Sequence, residues 1–284
     1  MRRGALVSAA NLSEGRDPGV LAALRSAAGD RLADLHADGD HHRSVVTMIG
    51  DGPSLLAAVL RLAEVAIERI DLAAHRGVHP RLGAIDVVPF APLYGDDLSA
   101  CVAVRDDACR SLGALGLPCF RYGPMPDGSM RTLPEVRRGA FRAFGPDAGP
   151  ERPHPSAGAV CVGARHALVA WNAWIHGASL AATRAVAAQV RTTGLLALGL
   201  EVRGATQVSC NLVAPEAFTP LDAYLRIEAA LPEGSRIVRG ELVGLIPARV
   251  LDKVPEPWWA RLGLGADRTF ERAAGALGGG ARED

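Results

Sequence analysis

The sequence predicts an α+β protein in which helices cover one face of a largely antiparallel sheet. Short apolar segments that suit strands alternate with longer segments whose apolar residues recur at helical spacing. The order strand, helix, two strands, helix, strand occurs twice along the 284 residues. Because ligand sites favour domain interfaces, two such subdomains in one chain predict a ligand groove between them.

The elements of the first half follow this order. Asp17 is the predicted N-cap of the first helix and Pro18 its first residue, and Ser54 is the predicted N-cap of the second helix. The expected elements are a strand at 5–10, a helix at 20–28, strands at 31–36 and 44–49, a helix from 55 to about 71, a strand at 84–90, a helix at 98–115, a strand at 119–122 and a short helix from about 131.

The second half repeats the order after an irregular connection at 145–156 that is rich in proline and glycine. Its expected elements are a strand pattern at 160–174, a helix at 180–192, strands at 195–202 and 207–213, a helix at 220–231, a strand at 237–246 and a short helix from 248. We place the subdomain boundary so that the two parts are 1–163 and 164–284, with the last ten or so residues disordered.

Composition excludes several functional classes. Lys+Arg and Asp+Glu both number 31, and this balance argues against a general nucleic-acid binder. The five cysteines have no CxxC spacing and are typical of reduced thiols in a cytoplasmic protein. No signal-peptide core and no apolar run of roughly 18 residues is present, so no membrane partner is expected.

Polar residues concentrate at 71–92, between the second helix and the strand that follows it. Pro80 fixes its own φ and disfavours helical geometry for the residue before it, so His79 is held at a bend. With Arg81 two residues on and Asp86 on the following strand, His79 can act as a general acid or base near neutral pH. The alternative is a histidine that only hydrogen-bonds the loop.

Other candidates are carboxylate-binding arginines and polar strand residues. A guanidinium group matches a carboxylate, and the alternative for each arginine is exposure to solvent, which is favoured for Arg137. Asn11 ends a strand, where it can line a cleft or belong to a capped turn. Gln207 and Asn211 alternate with Ser209 along a predicted strand, so they share one face, exposed or lining a groove. The arginine candidates are Arg43, Arg81, Arg131 and Arg137.

A metal site is the minor interpretation. His36, His41 or His42 could join His75 as ligands, but the glutamate of a HExxH motif is absent. Gly77 also interrupts the helix that would present a second histidine four residues after the first. We therefore expect no metal.

These segments resemble the glutamate formiminotransferase family. The most specific match is the block HRGVHPRLGAIDV at 75–87 with PFAP at 89–92, and the resemblance covers roughly residues 5 to 250. Further matching segments are NLSEGR at 11–16, YG at 122–123, RTLP at 131–134, GAR at 163–165, QVSCNL at 207–212 and ELVGLIP at 241–247.

The resemblance implies two subdomains that are each similar to a ferredoxin-like unit, in a homodimer. It implies transfer of a formimino group from N-formimino-L-glutamate to N5 of tetrahydrofolate, in histidine breakdown. The family's HPR histidine corresponds to His79, and the cyclodeaminase domain of some relatives is not expected here. The residues it implies for substrate and folate binding are Asn11, His36, His42, Arg43, Arg81, Gly83, Asp86, Arg131, Gln207 and Asn211.

Three positions depart from the family pattern. His36 stands where relatives usually carry aspartate, His42 where they usually carry asparagine, and Val78 where an acidic residue is common. An imidazole in place of an acid changes the charge near His79 and its proton partner. Alternatives therefore stay open: a diverged folate enzyme acting on 5-formyltetrahydrofolate, a non-catalytic folate-binding protein, or a metal hydrolase.

Overall fold

The computed structural model describes residues 4–77, 80–202 and 204–279. Contacts divide the chain into two units, Met1–His166 and Ala167–Asp284. The sequence predicts one strand pattern at 160–174. The structure has two strands there, and they belong to different units.

In the described part of the first unit, the strands form one seven-stranded sheet with the order β2-β3-β1-β4-β7-β5-β6. β1 pairs antiparallel with β3 and β4, whereas β7 runs parallel to both β4 and β5. The strands are β1 (Leu6–Leu12), β2 (Leu32–Asp38), β3 (Arg43–Gly50), β4 (Ile85–Pro92), β5 (Cys119–Pro124), β6 (Met130–Arg131) and β7 (Val160–Ala164).

Helices cover both faces of this sheet, so the predicted placement of the helices on one face is wrong for the first unit. The helices are α1 (Pro18–Ala28), α2 (Gly52–Arg69), α3 (Ser99–Ala114) and α4 (Leu133–Gly139). The first three bury Leu24, Leu62 and Leu112 in one core with residues of the strands, whereas α4 buries Val136 in a second core with Cys161. Because neighbouring residues of a strand point to opposite faces, these two cores lie on opposite sides of the sheet.

The second unit contains a four-stranded sheet in its described residues, with the order β11-β8-β10-β9. Its strands are β8 (Val169–His176), β9 (Leu195–Val202), β10 (Ala205–Leu212) and β11 (Arg236–Val243). Its helices are α5 (Leu180–Val190), α6 (Pro220–Ala230), α7 (Ala248–Leu251), α8 (Trp259–Leu262) and α9 (Phe270–Gly279). In α5 and α6, Val186 and Ile227 are buried in one core with Val208 of β10.

The predicted α+β class is confirmed. In both units the basic strand-helix-strand-strand-helix-strand segment places its fourth strand beside its first, then its third and second, as in a ferredoxin-like unit. In the first unit, β5, β6 and β7 extend that arrangement beyond β4. No helix among the described residues is long and apolar enough to span a bilayer.

The start of α2 differs from the sequence prediction. α2 begins at Gly52 and its N-cap is Asp51, not Ser54: the Asp51 carboxylate accepts a hydrogen bond from the Ser54 amide at 2.9 Å. Both residue types are good N-caps, so the sequence pattern alone does not choose between them.

The C-terminal segment also differs from the prediction. α9 continues to Gly279, so the disorder expected over the last ten or so residues does not include 275–279.

The assignment of the α2 cap can be tested by two alanine substitutions. Asp51→Ala is expected to lower the free energy of unfolding by about 1 kcal/mol, because it leaves an amide of the first turn without its acceptor. Ser54→Ala is the matched control and is expected to change it by less than about 0.5 kcal/mol. Chemical denaturation measures both, and equal losses would contradict the assignment.

Candidate functional site

Three segments of the first unit meet at the carboxyl end of β1. They are the turn after β1, the turn between β2 and β3, and the loop between α2 and β4. The Ser13 amide and hydroxyl donate to the carbonyl oxygens of Ala84 and Gly83, at 2.7 and 2.8 Å. Gly15 and Gly77 allow the close approach, since an added Cβ would lie 2.1 Å from a carbonyl oxygen at the first position and 2.6 Å at the second.

Asp86, on β4, is the buried centre of this region, with no exposed surface. Its Oδ2 accepts from Arg43 Nη1 at 2.7 Å and Arg137 Nη2 at 2.6 Å, and its Oδ1 accepts from the amides of Leu82 at 2.6 Å and Gly83 at 3.3 Å. Burial alone would raise the pKa of this carboxyl, but the two guanidinium groups and the Leu82 amide lower it to about 2. Asp86 therefore stays ionised and joins β3, β4 and α4.

The structure brings four predicted site residues into this network: Asn11, Arg43, Gly83 and Asp86. Arg43 donates from Nε and Nη2 to Asn11 Oδ1, at 3.1 and 2.9 Å, and from Nη1 to Asp86. Arg43 thus binds a carboxylate of the protein itself. The predicted exposure of Arg137 is wrong: its side chain is only 23% exposed and lies against Asp86.

A stacked histidine pair lies beside the network. The rings of His42 and His75 have centroids 3.9 Å apart and an interplanar angle of 20°. His75 Nε2 lies 3.2 Å from the His42 carbonyl oxygen, and the Arg81 guanidinium contacts the His75 ring. Burial, together with the nearby charges of Arg81 and His42, lowers the pKa of His75 to about 4. His75 is therefore neutral near pH 7 and can accept a hydrogen bond from Arg81.

Glu14 is a site residue that the sequence analysis did not single out. Its Oε1 accepts from the amides of Gly15 at 2.7 Å, Arg16 at 2.6 Å and Asp17 at 3.0 Å, and lies 3.1 Å from His42 Nε2. Burial would raise its pKa, but these amides and His42 lower it. A glutamate directly before glycine at the end of a strand was the available signal, but it does not by itself reveal which groups the carboxylate meets.

Arg81 lies among like charges. It is half-buried and donates to the His41 carbonyl oxygen at 3.3 Å. Burial lowers its pKa, the charges of Arg43, Arg16 and Arg137 lower it further, and Asp86 opposes them. Positive charge gathered in this way favours binding of an anion.

Gly83 belongs to the Asp86 network, whereas Arg131 and His36 lie elsewhere in the first unit. Gly83 is packed so closely that an added Cβ would lie 2.0 Å from the Ala159 carbonyl oxygen. Arg131 binds Asp147, with Nη1 2.8 Å from Oδ2, and this contact belongs to an ion-pair group separate from Asp86. His36 is half-buried on β2, opposite Val45 of β3.

In the second unit, Gln207 and Asn211 lie on β10, on the face that Ser209 shares. Gln207 is fully buried, and its amide nitrogen and oxygen have no hydrogen-bond partner among the residues that the structure describes. Asn211 is exposed.

His79, the predicted catalytic residue, and Val78 lie outside the described residues. In the ranges 4–77, 80–202 and 204–279, no group of three or more His, Cys, Asp or Glu side chains is placed to hold a metal ion. All five cysteines are free and buried.

The fold and this cluster define a protein of two ferredoxin-like units with a polar, arginine-rich site on the first. Residues 5–165 match the formiminotransferase domain, N-terminal subdomain, and the chain belongs to that family. This confirms the resemblance that the block at 75–92 indicates.

Relatives with similar sequences extend the match beyond the first unit. The chain is 33% identical over 269 residues to the glutamate formimidoyltransferase of Streptococcus pyogenes serotype M1, covering 87% of this chain and 90% of that protein. It is 31% identical over 288 residues to the glutamate formimidoyltransferase of Thermoplasma acidophilum, covering 92% and 94%. The formimidoyltransferase-cyclodeaminase of Gallus gallus is 32% identical over 271 residues, and there the match spans 85% of this chain but only 50% of the relative.

Replacing Asp86 tests whether its charge holds the network together. Asp86→Asn is expected to lower the free energy of unfolding by about 3 to 5 kcal/mol, because two partly buried guanidinium groups lose their counter-charge. Chemical denaturation near pH 7 measures the loss. Asp252→Asn, at an exposed carboxylate of the second unit, is the matched control, and a loss no larger than the control's would contradict the role of Asp86.

The same pair of proteins has a predictable pH dependence. The pKa of Asp86 is about 2 in the folded chain and ordinarily 3.8, so its ionised form stabilises the fold above about pH 4. That contribution is lost as the pH falls through the folded-state value. The difference in stability between the parent protein and Asp86→Asn is therefore expected to shrink on acidification from pH 5 toward about pH 2.

Proposed function

We propose that this chain transfers a formimino group from N-formimino-L-glutamate to N5 of tetrahydrofolate, as in histidine breakdown. The observation that carries the proposal is similarity over nearly the whole chain to two proteins named glutamate formimidoyltransferase. These names favour this reaction over the alternatives of a diverged 5-formyltetrahydrofolate enzyme or a non-catalytic folate-binding protein. Tetrahydrofolate is the acceptor substrate in this proposal, and no step requires a metal.

His79 is the general acid and base of the proposed reaction. Attack of N5 on the formimino carbon forms a tetrahedral intermediate, and its collapse breaks the bond from that carbon to the glutamate nitrogen. An imidazole can take the N5 proton and return a proton to the departing nitrogen. The chain on both sides of residues 78–79 supports this role, because Gly77 packs against the His41 carbonyl and the Leu82 amide is bonded to Asp86.

Arg81 is the proposed carboxylate-binding residue of the site. Both substrates carry glutamate carboxylates, and Arg81 lies two residues from His79, among arginines whose charge lowers its pKa. An incoming carboxylate would compensate this excess of positive charge, and a guanidinium binds it with two parallel hydrogen bonds.

Three further assignments complete the proposal. We propose that the chain acts as a homodimer, that it is cytoplasmic, and that 1–163 and 164–284 are the two formiminotransferase subdomains. The division of the chain after His166 supports the proposed subdomains.

The reaction and the role of His79 are tested with purified protein, N-formimino-L-glutamate and tetrahydrofolate. The parent protein is expected to form the N5-substituted folate, and His79→Ala to lose at least about 100-fold in kcat while tetrahydrofolate binding, followed calorimetrically, persists. His166→Ala, at an exposed histidine, is the control and should keep full activity. No turnover by the parent would exclude the proposed reaction, and an active His79→Ala would exclude only the role of that residue.

The role of Arg81 is tested by the steady-state kinetics of Arg81→Lys. A lysine keeps the charge but loses the forked pair of donors, so KM for the formimino donor is expected to rise about 10-fold or more. The exposed Arg110→Lys is the matched control. An unchanged KM for both substrates in Arg81→Lys would argue against carboxylate binding at this position.

A further inference from the structure

We propose that His42 is a positioning residue: by joining the Glu14 carboxylate to the Arg76 carbonyl, it holds the loop that leads into His79. This inference rests on the proposed function, because it assigns His42 a role through the histidine of that reaction.

The two ring nitrogens of His42 contact two different segments. Nδ1 lies 3.0 Å from the Arg76 carbonyl oxygen, in the loop between α2 and β4, and Nε2 lies 3.1 Å from Glu14 Oε1, in the turn after β1. A carbonyl oxygen can only accept, and Glu14 is held ionised by amide groups, so it also accepts. Both hydrogen bonds form together only when both ring nitrogens carry hydrogen, and the imidazolium then connects the two segments.

The loop contacts His42 in two further ways. The His75 ring stacks on the His42 ring, and His75 Nε2 lies 3.2 Å from the His42 carbonyl oxygen. Gly77 passes so close that an added Cβ would lie 2.9 Å from His42 Cβ. His42 therefore meets residues 75, 76 and 77 in succession, and the next residues along the chain are Val78 and His79.

The backbone conformation of His42 favours a functional role for this residue. Its φ is +49°, in the left-handed region that few residues other than glycine adopt. Such conformations persist where the surroundings determine them and are common at functional sites. The His42 side chain is also only 15% exposed and that of Glu14 only 10%, so water competes little for the bond between them.

The neighbouring residue links the same loop to the buried carboxylate. Arg43 follows His42 directly and donates to Asp86, whose other oxygen accepts from the Leu82 amide beyond His79. His42 thus fixes the loop on the N-terminal side of residues 78–79, while Asp86 fixes it on the C-terminal side. Loss of the first contact should release the loop without disturbing the second.

The rate of trypsin cleavage after Arg76 reports how firmly the loop is held, and it does not depend on the activity of this protein. In His42→Ala both side-chain bonds are lost, so native-state cleavage between Arg76 and Gly77, identified by fragment masses, is expected to accelerate at least about 10-fold. His42→Asn tolerates the left-handed backbone and can still donate toward Arg76, but it is too short for Glu14 and should give an intermediate rate. His166→Asn, at an exposed histidine, is the control and should match the parent.

The kinetic readout follows the same series. Misplacement of His79 is expected to lower kcat by about 10-fold in His42→Ala, with partial recovery in His42→Asn, while KM for both substrates changes by less than about threefold. If His42→Ala does not fold, Glu14→Gln weakens the same link from the other side and should shift cleavage in the same direction.

The outcomes separate this inference from the proposed function. If His42→Ala and the parent have equal global stability and equal cleavage rates, His42 does not hold the loop. That result would overturn the inference whether or not the protein catalyses formimino transfer. Faster cleavage with unchanged kcat in an active enzyme would overturn the positioning role. Faster cleavage in a protein that shows no formimino transfer would reject the proposed function and leave the His42 link demonstrated but without the role assigned to it, so the inference would fail with it.

Discussion

The ionised carboxylate of Asp86 is the constraint on which the site of the first unit depends. It has no exposed surface, and a charge removed from water is destabilising by several kcal/mol unless its partners are well placed. Arg43 from β3, Arg137 from α4 and two backbone amides provide those partners. The positions of β3, β4 and α4 are therefore interdependent, and the loop before β4 is held where its amides meet the carboxylate.

The stacked pair of His42 and His75, together with Glu14, adds polar contacts beside this network. His75 is kept neutral by burial and by Arg81, whereas Glu14 is kept ionised by three backbone amides and His42. In both groups the surroundings favour the deprotonated form. The resulting excess of arginine charge around Arg81 is what makes the region suited to a substrate with carboxylates.

Much of the fold could be predicted because the relevant interactions are local. Asp17 caps α1 as expected, since its carboxylate accepts from amides two and three residues on. The cap of α2 was misassigned because Asp51 and Ser54 compete within one turn. The single strand pattern at 160–174 divides into β7 and β8 because strand propensity does not report where a sheet, or a unit, ends.

By itself, the sequence determined the order of strands and helices and, through the block at 75–92, the family, because spacing and motifs are properties of neighbouring residues. Only the tertiary structure decided which charges meet: Asp86 pairs with Arg43, 43 residues away, and with Arg137, 51 residues away. The sequence predicted that Arg137 is exposed to solvent, and it assigned no role to Glu14. The reason is physical, since a side chain's partners and protonation depend on what packing brings within about 3 Å of it, and packing joins segments that are distant along the chain.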